Sequence, residues 1–233
     1  MGIRVSFGSK LSIINCDMSN NIGNTDADTA TIQNVDGGGG IAGQNCAITI
    51  ENSRITGNTI KGFAGGGIFF NAVEYDPLVE KGGMITDGQN FEDILKNAKK
   101  YNFKKVELTI KGTTIAQNIA SGTTCMKETC NNPTDYLACG AGGAIYALGS
   151  AKLGLPTIIN IDNLTARSNL SAHRNPELQS ELVFKNIDVL SIKNDVIVKH
   201  ANNKYTLVLD TAKSLDIINC NSYKNPALVK EIK

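Results

Sequence analysis

Three cysteines in a polar stretch of the chain have the side-chain type and spacing that could support chemistry. Cys125, Cys130 and Cys139 lie among Thr, Asn, Pro and Asp residues, a composition typical of a surface loop. In an oxidising compartment they predict at least one disulfide with one thiol left over, and in a reducing one they predict free thiols. A zinc site would need a fourth ligand, and neither His173 nor His200 is near in sequence. We therefore predict no metal site and no cofactor.

Two aspartates, Asp26 and Asp28, are the second candidate, for acid–base chemistry. Their segment, Asn24-Thr-Asp-Ala-Asp28, loosely resembles the Asn-Thr-Asp-Gly-x-Asp motif of polygalacturonases, in which paired carboxylates supply acid and base. The glycine of that motif is missing here, as are the other motifs that complete such a site. A turn with solvated carboxylates, or a weak calcium site, is the competing interpretation.

The other histidines and cysteines are predicted to be structural. His173 stands in a polar turn and His200 near the end of a strand, and neither has a nucleophile pattern beside it. We expect both histidines at the surface. Cys16, Cys46 and Cys220 lie in or beside apolar strands, where a free thiol acts as a small hydrophobic group.

Composition and charge exclude several classes of function. The net charge is +1 and charged residues make up 19% of the chain, which leaves no basic field for binding nucleic acid. No apolar run approaches the roughly 20 residues that a transmembrane helix needs. The first residues lack the continuous apolar stretch of a signal peptide. Glycine is abundant, with 23 residues, as expected for many short strands joined by tight turns.

Two short motifs alternate along the chain and predict a stacked repeat. The first motif, Gly-Gly-x-Ile, ends at Ile41, Ile68 and Ile145, and a looser Gly-Gly-Met-Ile occupies 82–85. Its glycines are Gly38, Gly39, Gly65, Gly66, Gly142 and Gly143. The second motif is an apolar residue followed three positions later by asparagine. Its asparagines are Asn21, Asn58, Asn118 and Asn169.

The spacing of these motifs predicts an all-β, right-handed parallel β-helix. Short strands rich in β-branched residues occupy 11–15, 46–50, 106–110 and 157–161. The motif asparagine follows 8 residues after Ile50, Ile110 and Ile161. A constant offset is expected if successive coils stack about 4.8 Å apart, with the asparagines in one hydrogen-bonded ladder. Paired glycines fit a corner at which the backbone of the next coil lies close. A two-sheet sandwich would explain the strands but not the constant offset.

The predicted organisation is a solenoid over residues 1–180 that is interrupted twice. The insertion at 73–105 contains a predicted α-helix, because Phe91, Ile94, Leu95, Ala98 and Tyr101 follow a helical period after a possible cap at Asn90. The insertion at 122–140 contains the three loop cysteines. Residues 181–233 contain no glycine and predict less regular final coils or a cap of the same solenoid.

The segment Gly142-Gly-Ala-Ile-Tyr146 and the asparagine motifs resemble the repeats of the chlamydial polymorphic outer membrane proteins, which are autotransporter-type surface proteins with a β-helical passenger. The resemblance covers roughly residues 11–170. The family's Phe-x-x-Asn is altered, since Met18, Ile55, Ile115 and Ala166 fill the Phe position. The resemblance implies a non-enzymatic, adhesin-like role at a cell surface or outside the cell, within a longer exported protein. The expected partner is a protein or a glycan. The alternative is a polysaccharide-binding or polysaccharide-cleaving β-helix of hydrolase or lyase type.

Overall fold

The structure is a computed structural model that describes residues 2–6, 8–24, 37–72, 105–121, 140–149, 155–173, 176–221, 225, 227 and 229–232. Within these ranges the chain forms strands and a short 3-10 helix, Pro176–Leu178. All strand pairs in this part of the chain are parallel and in register. This arrangement confirms the predicted all-β, parallel β-helical fold.

Each of the first four coils, where a coil is one winding of the chain, has four strands. They are β1 (Ile3–Ser6), β2 (Lys10–Ile14), β3 (Asp17–Ser19) and β4 (Ile22–Asn24) in the first coil; β5 (Ile41–Gln44), β6 (Ala47–Glu51), β7 (Arg54–Thr56) and β8 (Thr59–Lys61) in the second; β9 (Ile68–Asn71), β10 (Val106–Lys111), β11 (Thr114–Ala116) and β12 (Ile119–Ser121) in the third; and β13 (Ile145–Leu148), β14 (Thr157–Asp162), β15 (Thr165–Arg167) and β16 (Leu170–Ala172) in the fourth.

The later coils have fewer and longer strands. They are β17 (Ser180–Lys193) and β18 (Val196–Val198) in the fifth coil, β19 (Tyr205–Ile218) in the sixth and β20 (Val229–Ile232) after it. β17 and β19 have 14 residues each, and β17 pairs with both β13 and β14, so it joins two strands that are separate in the fourth coil. Asn186 in β17 and Thr211 in β19 have positive φ. In each strand this one residue changes the direction of the chain without a separate turn.

The strands stack into three parallel sheets. The largest has 11 strands in two limbs, β1-β5-β9-β13 and β2-β6-β10-β14, which both end on β17, and β19 and β20 extend it. A second sheet has the order β18-β15-β11-β7-β3 and a third the order β16-β12-β8-β4. The isoleucine of each Gly-Gly-x-Ile motif occupies one column of the first limb, because Ile41 pairs with Ile68 and Ile68 with Ile145.

Alternating apolar residues build the core between the sheets. In β10, Leu108 and Ile110 point inward and are fully buried, whereas Thr109 between them is partly exposed. The same positions of the neighbouring strands form continuous columns, such as Ile50, Ile110 and Ile161. Each fully buried isoleucine stabilises the fold by about 1.5–3 kcal/mol relative to an exposed one.

A left-handed residue turns the chain after each strand of the second limb. The positions are Asn15, Asn52, Gly112, Asn163, Asn194 and Asn219, all with φ between 48 and 57°. Asparagine and glycine tolerate this conformation better than other residues. The high asparagine content of the chain therefore reflects a turn that recurs in every coil.

The predicted insertions separate strands of the third and fourth coils. The first lies between β9 and β10 and the second between β12 and β13. Apart from residues 105 and 140 they fall outside the described residues, and so does the predicted helix after Asn90. The loop cysteines Cys125, Cys130 and Cys139 and the motif at 82–85 lie outside them as well.

Candidate functional site

The structure places the four motif asparagines in one column along the axis of the stack. The Nδ2 atom of Asn21 donates to Oδ1 of Asn58 over 2.9 Å, Asn58 donates to Asn118 over 3.0 Å, and Asn118 donates to Asn169 over 2.8 Å. Each acceptor oxygen also binds the backbone N–H of the preceding asparagine, at 2.9–3.0 Å. The last three asparagines are fully buried, so the column satisfies polar groups that water cannot reach.

The apolar residue of each motif also takes part in the ladder, through its backbone. Nδ2 of Asn58 donates to the carbonyl of Met18, that of Asn118 to Ile55, and that of Asn169 to Ile115. The apolar side chains at these positions are buried in the core. The apolar residue of each of these motifs therefore has two roles. Its side chain packs in the core, and its carbonyl accepts from the ladder asparagine of the next coil.

The paired glycines have two separate reasons to be glycine. Gly38, Gly65 and Gly142 have φ of 80, 72 and 65°, a conformation that strains other residues. At the second position the space is filled: a Cβ on Gly66 would lie 2.4 Å from the carbonyl oxygen of Gly143 and 2.7 Å from the backbone of Ile119. The glycine segment thus passes directly against the turn that carries the asparagine ladder.

Glu181 ends the ladder. Its register position is that of Gly40, Gly67 and Ala144 in the earlier coils, and its carboxylate reaches Nδ2 of Asn169 over 2.6 Å. The same carboxylate accepts the backbone N–H groups of Asn169 and His200. Burial raises the pKa of the Glu181 carboxyl to about 7, although the hydrogen bonds from Asn169 and His200 and the charge of Lys199 act in the opposite direction.

A second polar column lies at the turn between the large sheet and the second sheet. The hydroxyl groups of Ser53 and Thr113 each donate to a carbonyl two residues earlier, and Ser53 also accepts the N–H of Cys16. Asp195 holds this position in the fifth coil, where Oδ1 accepts the N–H of Leu164 over 2.7 Å. No described residue donates to its buried Oδ2 atom. Burial, with a smaller contribution from Asp162, raises the pKa of Asp195 to about 7.

The outward face of the second limb, continued by the ends of β17 and β19, forms a surface that we call the outer wall. It consists of three rows of side chains in register. The rows are Lys10, Ala47, Glu107, Ile158, Val189 and Ser214; then Ser12, Thr49, Thr109, Asn160, Ser191 and Asp216; then Ile14, Glu51, Lys111, Asp162, Lys193 and Ile218. Neighbouring side chains in a row are separated by one strand spacing, about 4.8 Å.

The second row (the middle row) and the third row (the outer row, from Ile14 to Ile218) carry most of the polar and charged groups of the outer wall. Hydroxyl and amide groups occupy the middle row from Ser12 to Ser191, and charges of alternating sign, Glu51, Lys111, Asp162 and Lys193, occupy most of the outer row. Hydroxyl and amide groups both donate and accept hydrogen bonds. The alternation of sign leaves little net charge on the wall, so it can bind through patterned hydrogen bonds rather than through a strong field.

Two sequence predictions were wrong at the level of single residues. His173 is not at the surface, because its exposed fraction is 2%, whereas His200 is partly exposed. Cys16 is exposed rather than packed as a hydrophobic group. It directly follows the left-handed Asn15 in the first coil, which no earlier described coil covers. Cys46 and Cys220 are buried as predicted, and burial raises the pKa of Cys46 to about 12.

Asp26 and Asp28 lie outside the described residues. Sequence reasoning missed Glu181, Asp195, Asn203 and Asn221, whose side chains bind the backbone of the preceding coil. The available signal was register: Glu181 directly precedes Leu182, which continues the column of Ile41, Ile68 and Ile145, and the earlier coils have Gly or Ala at the position of Glu181.

The described residues contain no group of three or more His, Cys, Asp or Glu side chains that could bind a metal ion. No helix in the part of the chain that the structure describes is long and apolar enough to span a membrane. No protein-family model, curated protein or solved structure matches this chain. Functional inference therefore depends on the geometry described above.

Proposed function

We propose that this protein is a non-enzymatic β-helical repeat protein of the cell surface or the extracellular space, which binds a partner along the outer wall. The observation that carries the proposal is the register of the wall. Six strands present hydroxyl, amide and charged side chains in straight rows, over about 25 Å. Such a surface offers many equivalent contacts to a long or repetitive partner.

The interior of the coil supports a scaffold role for the motif residues. Asn58, Asn118 and Asn169 are fully buried and hydrogen-bonded to one another and to backbone groups. Their chemistry is therefore used to hold successive coils in register. The outward residues between them are free to vary without disturbing the stack, which is typical of repeat proteins that bind partners through their surface.

The surface location and the adhesin-like role rest on the resemblance of the repeats to those of polymorphic outer membrane proteins. In this proposal the chain is one β-helical part of a longer exported protein, and its partner is a protein or a glycan. The loop cysteines fit an oxidising compartment if two of them pair.

Binding to a panel of immobilised glycans, matrix proteins and cells tests the proposal, with a charge introduced on the wall as the key variant. Thr109 lies in the middle row, and Thr109→Lys should lower the affinity for the bound partner at least about tenfold, because it buries an unpaired charge at the interface. Thr165→Lys is the matched control, since Thr165 lies on the outward side of the second sheet. Equal affinity of both variants and the wild type would exclude the wall as the binding surface.

A polysaccharide-binding or polysaccharide-cleaving protein is the second candidate. The hydroxyl and amide groups of the middle row, from Ser12 to Ser191, favour it, because they can pair with sugar hydroxyls. An assay for new reducing or unsaturated sugar ends over a polysaccharide panel separates the two functions. Activity of the wild type that Asp26→Asn and Asp28→Asn abolish would replace the non-enzymatic proposal with the hydrolase or lyase.

A further inference from the structure

The charged side chains of the outer row form a pattern that is complementary to its own reverse. From the second to the fifth coil the row reads Glu51, Lys111, Asp162 and Lys193, so the sign alternates between neighbouring coils. In the direction from the fifth coil to the second, each position has the opposite sign. A second copy of the chain whose stack runs in the reverse direction therefore meets every charge of the row with an opposite charge.

The side chains of this row are available for contact with another molecule. Lys111 is exposed, and Glu51, Asp162 and Lys193 are partly exposed. Among the described residues, none forms an ion pair or a hydrogen bond with the side chain of Glu51 or Lys111. The other two side chains each have one polar partner, which is itself exposed. All four can therefore form ion pairs across an interface without the loss of a buried contact.

A two-fold rotation brings two copies together in this way. Its axis runs parallel to the strands and passes between the third and fourth coils, so the two outer walls face each other with reversed stack directions. Glu51 then faces Lys193 of the second copy, and Lys111 faces Asp162 of the second copy. Because a two-fold axis uses each of these contacts twice, the row contributes four ion pairs. Two sheets that pack face to face with aligned strands are a common arrangement in proteins.

Most positions of the other two rows also match under this rotation. The hydroxyl and amide groups of the middle row face one another, as Thr109 and Asn160 of the second copy do. The exception is in the first row, where Glu107 faces Ile158 of the second copy. The Glu107 carboxylate already has an ion pair with Lys105, at 2.8 Å, so the interface does not leave it without a partner.

Apolar side chains add contacts at both margins of the wall. In the outer row Ile14 faces Ile218 of the second copy, and in the first row Ala47 faces Val189 of the second copy. Six strands and five residues along each strand give a flat area of about 400 Å² per copy. An interface of this size belongs to the weak and reversible class.

The alternation of sign selects one register and one direction. A shift by one coil sets Lys111 against Lys111 of the second copy and Glu51 against Asp162 of the second copy. Walls with parallel stacks and their outer rows in contact would set every charge against the same residue of the second copy. Both alternatives bring like charges together, which repel each other.

We infer that a second copy of this chain is a partner of the outer wall, bound with its stack in the reverse direction. The inference rests on the proposed function, because it uses the same wall and identifies one protein that the wall binds. Copies that extend from two facing surfaces have opposite stack directions, whereas neighbours on one surface have the same direction. The contact therefore joins two facing surfaces.

Sedimentation equilibrium of the full chain tests the inference. The wild type should form a reversible dimer with a Kd below about 1 mM. The dimer should weaken as the salt concentration rises, because salt screens exposed charges. A wild type that stays monomeric at about 1 mM, or a dimer that is indifferent to salt, would overturn the inference.

Two charge reversals locate the interface in the outer row. Lys111→Glu and Asp162→Lys should each weaken the dimer at least about tenfold, because each brings two pairs of like charges together. An equal mixture of the two variants should form a heterodimer about as tight as the wild-type dimer, since every charge again faces its opposite. Lys61→Glu, at an exposed position of β8, is the matched control and should dimerise as the wild type does. Unchanged dimers of Lys111→Glu, or a mixture of folded variants that stays monomeric, would contradict the inference.

Circular dichroism and the urea midpoint show whether each variant is folded. If Asp162→Lys fails to fold, Glu51→Lys and Lys193→Glu provide an equivalent mixture, because these two residues face each other across the same axis. Beads that carry the wild type should clump, and beads with Lys111→Glu should clump only when they are mixed with beads that carry Asp162→Lys. Wild-type beads that stay dispersed would exclude a contact between facing surfaces.

Failure of this inference is distinguishable from failure of the proposed function. A monomeric chain that binds a glycan or another protein, and loses this binding with Thr109→Lys, would overturn self-association and leave the wall as the binding surface. A chain that forms no dimer and binds no member of the panel would remove both.

Discussion

A ladder asparagine connects three coils through one amide group. Oδ1 of Asn118 accepts both the N–H and the Nδ2–H of Asn58, while its own Nδ2 donates to Ile55 and to Asn169. All four groups are buried, so water cannot replace these bonds. Asn118 therefore contributes to the free energy of unfolding mainly because its buried partners would be left without hydrogen bonds if it were removed.

Asn118→Ala should lower the free energy of unfolding by about 3 kcal/mol or more, because the N–H of Asn58 and the carbonyl of Ile55 lose their partners in a buried site. Urea unfolding followed by circular dichroism measures the change. Asn202→Ala is the matched control at an exposed position and should change the stability by less than about 0.5 kcal/mol. A similar small effect for both variants would show that the ladder does not stabilise the coil.

At the scale of a strand and its turn, the Gly-Gly-x-Ile segment brings the first limb of the large sheet against the ladder turn. A Cβ on Gly39 would lie 2.8 Å from the backbone of Thr59, and one on Gly67 would lie 2.9 Å from the side chain of Ile115. Backbone atoms and the core side chain of Ile115 fill this space. The segment therefore sets the distance between two sides of the coil, and it repeats with the ladder because both belong to the same corner.

Gly66→Ala should destabilise the protein by about 3 kcal/mol or more, since the new methyl group would meet the backbone of Gly143 and Ile119 at 2.4–2.7 Å and backbone atoms cannot move aside as a flexible side chain can. Thermal and urea unfolding measure the loss. Gly8→Ala is the control: it has positive φ but no atom near the new Cβ, so it should cost only about 1–2 kcal/mol. A larger loss for Gly8→Ala than for Gly66→Ala would mean that conformation, and not close packing, explains the motif.

Local periodicity explains which elements could be predicted from the sequence. The strands around Ile50, Ile110 and Ile161, and the asparagines 8 residues later, are predictable because each coil repeats the same short pattern. The joined strands β17 and β19 are not, because a single left-handed residue inside each, Asn186 or Thr211, has the role that separate turns have in the earlier coils.

The candidate site is less predictable, since its residues are defined by neighbours in other coils. The rows of the outer wall follow from strand register, and the middle row from Ser12 to Ser191 has no sequence motif. Asn203 and Asn221 bind strands that end 31 and 23 residues earlier. Only the three-dimensional stack shows that they cover an edge.

For the molecule as a whole, the fifth coil marks a change in how the stack is closed. Glu181 ends the asparagine ladder and Asp195 continues the hydroxyl column, so two buried carboxyl groups lie where the earlier coils have small or neutral side chains. Both have a pKa raised to about 7 by burial. The stability of the protein should therefore depend on pH in a range where few other groups titrate.

The sign of this dependence follows from proton binding. Asp195 has a pKa of about 7 in the folded state and 3.8 as an ordinary carboxyl group, so between these values the folded protein binds more protons than the unfolded chain. Its contribution is fully present below about pH 4 and is lost as the pH rises through about 7. Glu181 contributes in the same direction. The free energy of unfolding should thus fall between about pH 4 and pH 8, by a few kcal/mol in total.

Asp195→Ser should reduce this slope and raise stability above about pH 7. The hydroxyl can donate to the carbonyl two residues earlier, as Ser53 does, and can accept the N–H of Leu164 in place of the buried carboxylate, without any charge to desolvate. Urea unfolding at a series of pH values measures the profile, and Asn202→Ala, which changes no titratable group, should reproduce that of the wild type. The remaining slope of Asp195→Ser is attributable in part to Glu181, whose carboxyl is unchanged. A profile of Asp195→Ser that runs parallel to the wild type would show that Asp195 is not held protonated by its burial in the fifth coil.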